Sequence, residues 1–198
     1  MASSERDEQR RSAFREYVRT IISEKFVFVD ECSTNISLAP IYARAPRGER
    51  ARGKAPKNWG KNVSLLCAID SEGVKSSMSV EGAVDSKAFE SYIEYFLAPR
   101  LERGQIVVMD NLSSHKSKRV QQLLEDAGCE LLFLPPYSPD MNPIEEAFSK
   151  LKSILRKVQA RTKEALVEAT GRALEEITPE DIHGFYTDCG YRLSLQSL

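Results

Sequence analysis

Two runs of consecutive apolar residues in this chain stop abruptly at an aspartate: FVFVD, closing at Asp30, and IVVMD, closing at Asp110. Such runs lack the polar alternation of a half-exposed strand. IVVM in particular reads as a central strand covered on both faces, which requires a sheet with helices packed against it. VSLLCAID and VKSSMSVE flank Ser71-Glu72-Gly73, a hairpin signal, and CELLFLP reads as a further buried strand. Between and around these strands the apolar spacing turns helical. Phe14, Val18, Ile21 and Ile22 mark a lead-in helix. Asp85 is placed to cap a helix through AFESYIEYFLAPRL, and Gly128 to stop one running from Ser114 to Ala127. Pro143 suits the first turn of IEEAFSKLKSILRKV, and helices over Thr162–Ile177 and Pro179–Phe185 complete the chain. The order β-β-β-α-β-α-β-α predicts an α/β fold with a mixed five-stranded sheet flanked by helices. A length of 198 residues allows one such domain, expected over 25–160, with a lead-in helix at 1–24 and a helical extension at 161–198.

Net charge excludes little. Lys and Arg total 28 and Asp and Glu 29, so an electrostatic argument must rest on local distribution. Residues 39–61 supply one: Arg44, Arg47, Arg50, Arg52, Lys54, Lys57 and Lys61 stand against the single acid Glu49. Gly and Pro interrupt the segment, so it is expected as a loop or ragged hairpin whose charges contact phosphates. Trp59 within it has two readings: a ring that stacks on a base, or an anchor holding the loop to the core. Lys150, Lys152, Arg156 and Lys157 form a second basic face, read as the wet side of a helix. The four cysteines show no CxxC and no His at zinc spacing, and read as free thiols in a reducing compartment. No apolar stretch approaches the ~20 residues of a membrane helix, and the charged N-terminus has no signal-peptide core. A cytoplasmic, nucleoid-associated protein without membrane contact is expected.

At the carboxyl ends of strands in an α/β sheet, Asp30 and Asp110 could point into one crevice, although a single aspartate after a strand is more often a turn or cap residue. Glu145 alters that balance, because Pro143 fixes it in the first turn of a helix that follows the last strand. Three carboxylates brought together repel one another unless cations neutralise them, and hard oxygen donors without His or Cys favour Mg²⁺ or Mn²⁺. Two such ions about 4 Å apart can activate the attacking oxygen and stabilise the leaving one in an in-line phosphoryl displacement.

VFVDECSTN, VVMDNLSSHKS and LPPYSPDMNPIEEAFSKLK resemble the three signature blocks of mariner-type DDE transposases, particularly bacterial insertion-sequence members. The 34 residues between Asp110 and Glu145 match one of that superfamily's spacings, and YSPDMNPIEE is the most specific block. The resemblance implies an RNase H-like fold, a catalytic and metal-binding triad of Asp30, Asp110 and Glu145, and two metal ions per site. Glu146 is the competitor for the third position; one residue turns a helix by about 100°, so only one of the two can face the site. Asn111 and His115 are expected to line the site, with a purely local helix-terminal role equally open for His115. Asn142 is expected to cap the catalytic helix, and Glu31 to be an exposed strand end. Pro135, Pro136, Tyr137, Ser138 and Pro139 are expected to shape the wall beside that helix.

By the same resemblance the partners are DNA, as transposon ends and target, and further copies in a homodimer or higher assembly. Full-length members carry N-terminal helix-turn-helix domains. Nothing of that length precedes Lys25, so either this is an isolated catalytic domain or the DNA-binding part comes from a separate or frameshifted reading frame, and the chain itself is expected to bind DNA with little sequence specificity. A stand-alone metal-dependent nuclease and a non-catalytic DNA-binding protein derived from a transposase are the rival readings.

Overall fold

The sheet has the strand order β3-β2-β1-β4-β5 in the computed structural model, which describes residues 7–193. Its strands are β1 (Phe26–Thr34), β2 (Val63–Asp70), β3 (Gly73–Glu81), β4 (Ile106–Met109) and β5 (Glu130–Phe133). β1, β2 and β3 form an antiparallel meander, whereas β4 and β5 run parallel to β1. The expected mixed five-stranded sheet is therefore present. The outermost residues of the expected lead-in and C-terminal segments, 1–6 and 194–198, lie outside the described residues.

Period-two alternation sends successive strand residues to opposite faces. Phe26, Phe28, Leu65, Cys67 and Val108 pack on one face with α1 (Glu8–Arg19), α4 (Pro143–Val158), α5 (Lys163–Glu175) and α6 (Pro179–Asp188). Val27, Val29, Leu66, Val107 and Met109 pack on the other with α2 (Ser86–Tyr92) and α3 (Lys118–Asp126). The helices at both ends of the chain thus share one core with the sheet, through Phe14, Val18, Leu166, Ile182 and Tyr186. Aromatic edges tighten this face: Phe28 meets Tyr186 at 5.3 Å and Tyr191 at 4.9 Å between centroids, each pair worth about 0.5–1.5 kcal/mol. Tyr186 donates its hydroxyl to Phe26 O (2.9 Å) and Tyr191 to Met141 O (2.9 Å), so the C-terminal end of the chain ties β1 to the loop before α4.

Several elements differ from expectation for local reasons. β1 does not stop at its acids but continues to Thr34, paired along its length with β2. β5 is an edge strand and only partly buried, because it has β4 as its single neighbour. The helix capped by Asp85 is regular to Tyr92, then widens into a π turn (Ile93–Leu97) and tightens into a 3-10 turn (Ala98–Arg100). Pro99 accounts for this: it has no N–H to donate, and its ring crowds the carbonyl four residues back. The expected helix from Ser114 is broken at Ser117, whose hydroxyl accepts from Val120 N (3.1 Å) and starts α3 afresh after a 3-10 turn at Ser113–Lys116. Gly128 does follow the end of α3, at φ +75°, and a β-carbon there would press on Arg103 Cγ at 3.2 Å. Ile22, expected on the buried stripe of the lead-in helix, is 61% exposed. No helix among the described residues is long and apolar enough to cross a membrane.

Candidate active site

The parallel pairing of β1 with β4 ends at Phe28↔Val108, while β1 runs on against β2. The sheet therefore forks between β1 and β4, and the two aspartates flank the fork. Asp30 lies within β1, opposite Cys67, and is 7% exposed; Asp110 directly follows β4. Glu145 stands on the first turn of α4, exposed to solvent.

Asp30 is held from two sides. Oδ1 accepts from Glu31 N (2.7 Å) and Oδ2 from Asn142 Nδ2 (2.8 Å). Burial pushes its carboxyl from 3.8 up to about 7; the Glu31 N–H works against this, and the charges of Asp110 and Glu145 add to it. Asp110 has the opposite balance. Burial would raise it, but the His115 imidazole, with Nδ1 2.7 Å from Oδ1, and the Leu112 N–H at 3.0 Å outweigh that effect and hold it below its ordinary range. His115 is fully buried and stacks on Phe89 at 4.2 Å, so its ring cannot swing away. Glu146, the alternative third acid, turns toward the end of α6, where Oε1 accepts from Cys189 Sγ at 3.9 Å. Glu145 is the one whose charge reaches Asp30.

Two expectations are corrected, for Asn142 and Glu31, and Asn111 gains a bracing contact. Asn142 occupies the N-cap position of α4, but its side chain makes no capping bond and is spent on Asp30 instead. Pro143, which has no N–H, already removes one donor from that first turn. Glu31 is not an exposed strand end: it points to the opposite face from Asp30, near His115 and Asp110, with Oε2 buried and without a hydrogen-bond partner among the described residues. Asn111 donates Nδ2 to Leu134 O and so braces the chain leaving β4 against the end of β5.

The basic segment carries no regular secondary structure, and Arg44, Arg47, Arg50, Arg52, Lys54, Lys57 and Lys61 are all exposed. Trp59 is 45% exposed and Tyr42 90%. Arg161 fastens the base of this loop, donating to Ile36 O (2.8 Å), Leu38 O (2.9 Å) and Lys54 O (3.3 Å). On α4, Lys150 is engaged with Asp181, whereas Lys152 is partly buried on the Asp30 side, where its charge acts on Cys32. Treating both as wet surface was therefore too coarse. Lys152 lies two helical turns beyond Glu145, and that spacing was the available signal.

Could such a site hold a divalent cation? Among the described residues no three of His, Cys, Asp and Glu come close enough to form a finished metal cage. The donor chemistry nevertheless fits. Asp30, Asp110 and Glu145 offer hard oxygen donors and no soft ones, and Asp30 carries mutual repulsion that a cation would relieve. The site is an open fork, not a closed cavity. A surface groove of about 660 Å³, lined by Asp70, Lys75 and Leu174, lies away from this fork, at the end of the sheet where β1 begins.

Comparison with known proteins adds to this geometry. The family model described as DDE superfamily endonuclease matches residues 25–167. The Tc1 transposase of Caenorhabditis elegans is 25% identical over 169 residues, covering 80% of this chain and 62% of its own length. The Tcb1 transposase of Caenorhabditis briggsae is 27% identical over 108 residues, covering 52% of this chain and 40% of its own. The chain thus spans less than two thirds of these relatives. Among solved structures, the Mos1 mariner paired end complex with Mn superposes with a TM-score of 0.71 at 19% identity, over 93% of this chain and 60% of that one. The isolated catalytic domain of Mos1 mariner transposase gives 0.58 at 18% identity, with 98% of each chain covered. The fold is therefore RNase H-like.

Proposed function

Since the chain belongs to the DDE superfamily endonucleases, we propose that it is a transposase catalytic domain, cleaving DNA strands at transposon ends and joining them to target DNA. The observation that supports this reading is the placement of Asp30 and Asp110 on either side of the fork in an RNase H-like sheet, with Glu145 on the first turn of α4. Asp30, Asp110 and Glu145 would hold Mg²⁺ or Mn²⁺, two ions in the working site. Bound there, the ions would supply charge neutralisation, activation of the attacking oxygen and stabilisation of the leaving one.

The chain's own residues do the orienting. Asn142 and the Glu31 N–H fix both oxygens of Asp30, while His115 and the Leu112 N–H fix Oδ1 of Asp110. Rotamers locked before the substrate arrives avoid an ordering cost during the reaction. Asn111 supports the site by bracing β4 against β5. The exposed loop of Arg44, Arg47, Arg50, Arg52, Lys54, Lys57, Trp59 and Lys61, which begins soon after Asp30, contacts the phosphate backbone without reading sequence. Transposon-end recognition is assigned to a separate helix-turn-helix module. The working form is a homodimer or higher assembly on DNA, at the nucleoid.

Incubation with pre-cut ends, target duplex and Mn²⁺ tests the reading. Joined products are expected, and Asp110→Ala should abolish them while leaving DNA binding largely intact. Nicking without joining would identify a nuclease, and binding without either activity a retired transposase.

A further inference from the structure

Arg11 lies outside the residues matched by the family model, yet it is a fully buried arginine. It occupies a core position of α1, on the same stripe as Phe14 and Val18. Its guanidinium forks onto the loop between β5 and α4: Nη1 donates to Ser138 Oγ (2.6 Å) and Asp140 Oδ1 (3.0 Å), and Nη2 to Asp140 Oδ2 (2.6 Å). Ser138 passes the restraint on by donating to Pro136 O (3.2 Å), across Tyr137, whose φ of +53° is unfavourable for a side chain with a β-carbon. A single 3-10 turn, Pro139–Met141, then leads to Asn142. One residue, Met141, separates the arginine's anchor from the amide that holds Asp30, and α4 with Glu145 begins immediately after.

We propose that Arg11 is a positioning residue for the carboxylate site: its fork fixes the 136–142 loop so that Asn142 meets Asp30 and α4 starts in the register that aims Glu145 at the sheet fork. The planar, two-pronged guanidinium suits this task, because it satisfies two acceptors on one loop in a single fixed geometry, which an ammonium cannot do. The loop otherwise holds a residue at positive φ with three prolines nearby. Besides the fork, the Tyr191 hydroxyl on Met141 O is a second tie on the path from β5 to α4. This proposal rests on the reading of the carboxylates as a metal site.

The test uses the full chain in three variants. Arg11→Lys keeps the charge but loses the fork. Asp140→Asn, at the half-exposed end of the pair, spares the buried arginine and serves should Arg11→Lys fold poorly. Asp110→Ala reports on the site itself. Mn²⁺ binding without DNA is followed by calorimetry, and steady-state cleavage at a transposon-end duplex by kcat and KM, on protein shown to be folded by circular dichroism. A positioning role predicts Mn²⁺ affinity and kcat reduced by about 10–100-fold in Arg11→Lys and Asp140→Asn, with KM for DNA changed by less than about twofold. Wild-type Mn²⁺ affinity and kcat in both, with only a lowered melting temperature, would overturn the proposal while Asp110→Ala is inactive. If Asp110→Ala itself binds Mn²⁺ and cleaves normally, the carboxylate reading fails, and the proposal with it.

Discussion

The Asn142 amide donates a 2.8 Å hydrogen bond to Asp30 across 112 residues of sequence, joining the residue before α4 to the middle of β1. Both partners are almost entirely buried, at 2% and 7% exposure. Asn142→Ala leaves one oxygen of a desolvated carboxylate without its donor, and should lower stability by about 1–3 kcal/mol. Urea denaturation measures that loss. Cleavage should fall in the same variant, because Asp30 is then held from one side only, by the Glu31 N–H; unaltered cleavage would show that Asn142 only fills space.

The raised carboxyl of Asp30 makes stability depend on pH with a definite sign. Below 3.8 the acid is neutral in both folded and unfolded chains. As pH climbs from 3.8 toward about 7, the unfolded chain releases its proton first, so the folded state loses ground until its own carboxyl ionises. Asp30→Asn cannot titrate, and should exceed the parent in stability at pH 8 by up to about 4 kcal/mol relative to their difference at pH 4. Melting curves of both proteins across this range check the claim. Adding Mg²⁺ at pH 8 should raise the melting point of the parent alone, since a ligand stabilises only a fold that binds it.

His115 offers a test that separates packing from polarity. His115→Phe retains ring volume and the stack on Phe89 but removes both nitrogens beside Asp110. The melting temperature should stay close to that of the parent. Mn²⁺ affinity should fall by about 10–100-fold, as expected when a group orienting a ligand is lost. A variant that binds Mn²⁺ normally would restrict His115 to a packing role.

Charge on the long loop should appear in salt dependence. Replacing Arg44, Arg47 and Arg50 together by alanine removes three exposed cations from a segment without regular secondary structure. The slope of log affinity for duplex DNA against log salt should become shallower by about 2–3, one phosphate neutralised per arginine. An unchanged slope, read by fluorescence anisotropy between about 50 and 200 mM salt, would place the DNA path elsewhere.

Most of the sheet was legible because apolar runs and turn residues act locally: IVVM, the Ser71-Glu72-Gly73 hairpin and the Pro143 start of α4 all lie where the residues imply. Burial of the edge was less legible. CELLFLP is as apolar as a central strand, and its position beside β4 alone is set by topology. In the site, Asp30 and Asp110 were marked by their place after apolar runs, but their different environments were not. Burial and two neighbouring carboxylates raise one acid, which an asparagine 112 residues away holds in place, while a histidine lowers the other. Asn142 was misread because an asparagine before a helix has the same sequence signature whether it caps or reaches outward. Arg11 was missed because its partners are 127 and 129 residues distant; the one local hint was a cation on the same helical stripe as Phe14 and Val18.

The fork of the sheet also divides the site mechanically. Asp30 belongs to a strand laced to β2 from Phe28 to Thr34, so its backbone has no independent travel. Asp110 hangs from the last residue of a four-residue strand, followed by a 3-10 turn, and Glu145 rides on the first turn of a helix whose approach is set by a loop. Any tightening of the three acids must therefore come from the Asp110 and Glu145 sides, with β1 as the stationary anvil. Substitutions that alter the stroke should then cluster in the residues flanking β4 and α4, and not along β1.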